Sequence, residues 1–132
     1  MDEQALSRDA VYIPLPVLIE RLVDLVANFA FTHPGFDLIF GGIWGTEEMT
    51  QIVDEMNDSL TQSVGIILVA KAPSLDAERH ATCARVMTYI IKGLLPLVAS
   101  SDPHFRERAI QELKVAGIAY LNTVISDRDQ TP

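Results

Sequence analysis

Residues 74–125 constrain this chain more than any other stretch. They read as two long helices joined by a short turn, and both are apolar around more of their circumference than a single core can use. The first, residues 74–99, opens on Ser74 as a cap, with Asp76 and Glu78 in the first turn, where the helix dipole favours acid. Its polar face is narrow: Glu78, Thr82, Arg85, Tyr89 and Lys92. One flanking apolar stripe runs through Cys83, Met87 or Val86, Ile90, Leu94 and Leu97. The other runs through Ala77, Ala81, Ala84, Thr88, Ile91, Leu95 and Val98, small at first and so open to a close helix neighbour. Pro96 is expected to kink the last turns. After the turn at Ser100 and Ser101, Asp102 caps the second helix, residues 103–125, and Pro103 is its first helical residue. That helix is amphipathic at first, but residues 115–121 (Val-Ala-Gly-Ile-Ala-Tyr-Leu) have no wet face. Left in water they would form a large apolar patch. The hairpin is therefore expected to serve two clients, the chain's own core and a second copy of the chain, with Gly117 allowing close contact.

The segments before the hairpin extend the same all-α pattern, a bundle of about five helices. Residues 1–15 are read as an extended leader carrying Val11, Tyr12 and Ile13 beside Pro14 and Pro16. Residues 17–32 form a helix with Leu18, Leu22, Val26 and Phe29 at helical spacing, stopped at His33-Pro34 because a residue before proline avoids helical geometry. Residues 34–42 read as a short helical turn ended by Gly41-Gly42. Residues 46–71 form a long helix capped by Thr46, with a buried stripe through Met49, Ile52 or Val53, Met56, Leu60, Val64 and Ile67. Residues 16–126 are thus one domain, and residues 127–132 a polar tail. No internal repeat or alternating strand pattern is evident.

Charge and cysteine content narrow the function. The chain of 132 residues carries 18 acidic against 10 basic residues, a formal net charge of -8. It has no basic stripe with which to displace phosphate counterions, so these residues are not expected to bind nucleic acid or an anionic membrane. The single cysteine, Cys83, excludes an internal disulfide and points to a reducing, cytoplasmic setting. The apolar runs 64–70 and 93–99 fall well short of the roughly 20 residues that span a bilayer.

The search for chemistry returns little that is catalytic. His80 and Cys83 share a helix face, as a metal pair would, but two ligands do not make a structural zinc site. The run Glu47, Glu48, Asp54, Glu55 and Asp58 has no partner histidine, lysine or serine motif and reads as a solvated face. No nucleophile elbow, phosphate loop or His-Glu-x-x-His is present. Neither a metal, a cofactor nor an enzymatic activity is expected. What remains is an aromatic and methionine-rich set. Phe29, Phe36, Phe40 and Trp44, with Leu22, Met56, Leu60, Cys83 and Met87, admit two readings: an ordinary core, or the lining of a cavity for an apolar or aromatic molecule.

The order of these segments resembles a known family. A helix ends in His-Pro-Gly-Phe. A short helix and a long acidic one follow. Then Ser-Leu-Asp-Ala-Glu-Arg opens a helix running to Lys-Gly-Leu-Leu-Pro-Leu, and Asp-Pro opens the last. Over residues 16–125 this resembles the C-terminal effector-binding and dimerisation domain of TetR-type transcriptional regulators. The resemblance implies that the last two helices pair with those of a second subunit as a four-helix bundle, with contacts expected to centre on Leu95, Val98, Leu113, Gly117, Tyr120, Leu121 and Val124. It implies that the earlier helices enclose a small-molecule pocket whose occupancy controls DNA binding. The helix-turn-helix of the family has no counterpart in these residues. DNA binding is therefore expected only through a domain outside them, the chain being either part of a longer regulator or a stand-alone relative. The competing expectation is a dimeric helical interaction module with a filled core and no ligand.

Overall fold

The computed structural model describes residues 3–32, 47–98 and 102–130, and these form five helices. They are α1 (Glu3–Tyr12), α2 (Leu15–Thr32), α3 (Glu47–Lys71), α4 (Ala77–Val98) and α5 (Pro103–Gln130). The packing is a bundle in which α4 is central: it lies against α3 on one side and α5 on the other, and it also meets α2. Helix α2 packs on α5, and α1 packs on α3. The short helix expected at residues 34–42 and the Thr46 cap fall outside the described residues.

The core follows the apolar spacing. On α3, Val53, Leu60, Val64 and Ile67 recur at intervals of three, four and seven residues and are buried. On α2 the buried set is Leu15, Leu18, Ile19, Leu22, Val23, Val26 and Ala27, more than one helix stripe wide, because α2 touches two neighbours. Each fully buried leucine or isoleucine contributes about 1.5–3 kcal/mol relative to exposure. By length and composition α4 could cross a membrane, but it carries the buried residues Met87, Ile91 and Leu95 between α3 and α5.

Two local readings are corrected. Glu3–Tyr12 is not an extended leader but a helix. Leu6, Ala10 and Ile13 recur at helical spacing and turn toward the core, with Ala10 wholly buried. Lys71 at the end of α3 donates from Nζ to the Ile13 carbonyl at 2.7 Å and fixes the α1–α2 turn. Second, Ser74 does not cap α4. Asp76 does, its Oδ1 accepting from the Arg79 backbone N–H at 2.7 Å, and the helix starts at Ala77. The Asp102 cap holds, accepting from the His104 N–H at 3.0 Å ahead of Pro103. The last helix runs past residue 125 to Gln130.

Candidate functional site

Five of the side chains expected to face a ligand meet at the bundle centre. Leu22 from α2, Leu60 from α3, and Cys83 and Met87 from α4 are buried in one apolar cluster, with Met56 packed half-buried against it. The side chain of Phe29, and Phe36, Phe40 and Trp44 altogether, lie outside the described residues. Cys83 has polar company: Arg79 Nε lies 3.3 Å from its Sγ. The Tyr120 hydroxyl reaches it from α5. Burial, reinforced by the Cys83 hydrogen bond and opposed by Arg79, pushes the Tyr120 phenol up to about 12, so it stays neutral at ordinary pH. The neighbouring His80 has a backbone partner. Its Nε2 stands 2.7 Å from the Ala72 carbonyl, an acceptor, so that nitrogen carries the proton. Among the described residues no group of three or more His, Cys, Asp or Glu could hold a metal ion.

One hollow between helices has no counterpart among the expected site residues. A groove of about 750 Å³ lies between α1, α3 and α4. Its floor is made of small residues, Gly65, Ala77, Ala81 and Ala84, and its apolar walls include Val11, Ile66 and Val69. A β-carbon added at Gly65 would meet nothing within 4 Å. Val11 and Val69 are more than half exposed there, at 58% and 55%. The alanine run on α4 was the available signal. On its own it equally permits close helix contact, and the far wall is α1, which the sequence does not mark as a helix.

One end of the groove is polar. Thr61, Gln62 and Arg85 line both the groove and an adjoining hollow of about 540 Å³ that also takes in Asn57, Asp58, Thr88, Tyr89 and Lys92. At the α3–α4 crossing the Thr61 and Thr88 hydroxyl oxygens are 2.7 Å apart. Each is also 2.9 Å from the carbonyl four residues back, Asn57 and Ala84 respectively. Two hydroxyl protons thus face three acceptors, and the pair has none to give away. Beside it the buried Asn57 Oδ1 has no hydrogen-bond partner. Lys92 Nζ lies 5.6 Å from the centroid of the Tyr89 ring.

Most of the residues expected at subunit contacts are packed within the single protomer. Leu95, Val98, Leu113, Leu121 and Val124 are at most 2% exposed within a single protomer. They belong to the same buried cluster as the core residues of α2 and α3. Gly117 is also used internally, against Met87 and Ile19. Tyr120 alone of that set is half-buried. The apolar excess that does reach water lies one helix face away: Val86, Tyr89 and Leu97 on α4, Phe105 and Val115 on α5. Leu94 and Leu97 face Phe105 and Ala109 across a hollow of about 600 Å³.

Comparison with known proteins supplies one broad match. The family described as "Tetracyclin repressor-like, C-terminal domain" matches residues 14–121. A "PKS-NRPS hybrid synthetase" of Aspergillus fumigatus is 34% identical over 79 residues, 57% of this chain and 2% of that protein. The chain therefore spans a very small part of that relative. No solved structure matches.

Proposed function

The chain belongs to the tetracyclin repressor-like C-terminal domain family, and from that premise we propose that it is the sensing and pairing domain of a cytoplasmic transcriptional regulator. In this reading a small, largely apolar molecule is the effector and a second copy of the chain is the partner. DNA is contacted only through a helix-turn-helix domain outside these residues, and no step of catalysis is involved.

The observation that carries the reading is the groove over Gly65: apolar surface beside a helix position where a side chain has open space and none is provided. An isolated groove of this kind suits a ligand better than water. Pairing is supported by the row from Val86 to Leu97 on α4 with Phe105 and Val115 on α5, which would bring four helices together across a two-fold axis. A thermal-shift screen of apolar and aromatic compounds, run beside light scattering, tests both halves. Stabilisation by some compounds and a dimer mass are the expected results. A monomer at every concentration would end the pairing half.

The second reading, a paired helical module with a filled core and no ligand, draws on the complete packing of Leu22, Leu60 and Met87 at the bundle centre. It is the outcome if no compound stabilises the protein.

A further inference from the structure

We infer that the groove takes an amphipathic organic anion: its apolar body lies over Gly65 and Ala81, and its acidic end is held by Arg85. This rests on the effector reading above and makes it more specific.

Charge is the first argument. The chain as a whole is acidic, at -8. Helix α4 runs the other way, with Arg79, Arg85 and Lys92 against Glu78. At the polar end of the groove Arg85 and Lys92 face one carboxylate, Asp58, among the described lining residues. A cationic spot beside an apolar groove attracts an anion locally against the repulsion of the acidic molecule as a whole.

Position is the second. Arg85 is the cation shared by the apolar groove and the polar hollow, so a ligand whose body fills the first places its end group at the second. The guanidinium can grip a carboxylate through two parallel N–H donors. The Thr61 and Thr88 hydroxyls are engaged with each other and with backbone carbonyls, so the charged donor Arg85 is the better partner for an anion. Among its described lining residues the apolar half has no charged side chain except Arg85 at its end, with His80 engaged at Nε2 by the Ala72 carbonyl.

Three ten-carbon probes of matched length test this by calorimetry below their micellar concentrations: decanoate, decanol and decyltrimethylammonium. Decanoate is expected to bind at least about tenfold more tightly than the other two, the scale of a charge-assisted hydrogen bond. Arg85→Gln should remove that preference and leave decanol unchanged. Gly65→Leu should block decanoate and decanol alike, and because its side chain enters open space on a helix it should fold at least as stably as the parent. Equal binding of decanoate and decanol, untouched by Arg85→Gln, overturns the anion while the apolar-effector reading stands. Full decanoate binding by Gly65→Leu overturns the location. A change of oligomeric mass in Gly65→Leu makes the groove a subunit contact and overturns the proposal. If none of the probes binds, and the wider compound screen is also blank, the effector reading falls with it.

Discussion

The terminal methyl carbon of Met87 stands 2.5 Å from the point a β-carbon on Gly117 would occupy, with Ile19 Cγ2 at 3.3 Å from the same point. Glycine at 117 therefore accommodates the present placement of the Met87 methyl between α4 and α5, inside one protomer. Gly117→Ala should displace Met87 at a cost of about 1–3 kcal/mol, offset by about 1 kcal/mol of helix propensity. The net result is neutral to destabilising. In a Met87→Ala background only the Ile19 contact at 3.3 Å remains, and the same substitution should become neutral to stabilising, by up to about 1 kcal/mol. Urea denaturation of the four proteins gives the sign of each step.

Substitution by arginine separates core from surface on the hairpin. Leu121 is fully buried, so Leu121→Arg places an unpaired charge in the core and should abolish cooperative unfolding. Leu97 is 45% exposed. Leu97→Arg should retain helical circular dichroism and a normal melt, and yield monomers by light scattering. A folded dimer of Leu97→Arg would move the pairing face elsewhere.

The start of α4 makes a third comparison. Asp76→Ala removes the acceptor for the Arg79 N–H and should cost about 1 kcal/mol. Ser74→Ala, at an exposed turn position, should stay within about 0.5 kcal/mol of the parent. Thermal melts of both variants check the assignment, and the opposite order would restore Ser74 as the cap.

Tyr120 predicts a pH dependence. Its folded-state pKa is pushed up to about 12 from an unfolded value of 10.0. The folded protein holds that proton more tightly, so the contribution is full below pH 10 and is lost as pH rises toward 12. Tyr120→Phe lacks the step. The gap between parent and variant in urea midpoint should narrow between about pH 10 and pH 12; a constant gap would mean that Tyr120 does not titrate differently in the two states.

Much of the fold was legible in residue order because the helices are long and their punctuation is explicit. Asp102-Pro103 marks the last helix in sequence and in structure, and the spacing Val53, Leu60, Val64, Ile67 marks the buried side of α3. Helix α1 was not legible: its face is Leu6, Ala10 and Ile13, too small and mixed to stand out beside two prolines. The division of the hairpin between core and partner is not legible either, for a different physical reason. Periodicity gives the direction of a side chain relative to its own helix, but not how many neighbours that helix has. With α2 and α3 both available, the core absorbs Leu95, Val98, Leu121 and Val124 and leaves Val86, Leu97 and Phe105 outside. The groove over Gly65 is a shape made by three helices, one of them unrecognised, and composition alone does not contain it.

The Thr61–Thr88 contact has a consequence for the α3–α4 crossing. With the oxygens 2.7 Å apart, one hydroxyl must point at the other, and the donor's own carbonyl then goes without. Either threonine can be the donor. The same heavy atoms therefore hold two proton arrangements, related by turning two hydroxyls in concert. A molecule that presents a hydrogen to Thr61 selects one, and a molecule that presents a hydrogen to Thr88 selects the other. The dipole at the centre of the crossing can reverse while both helices stay where they are.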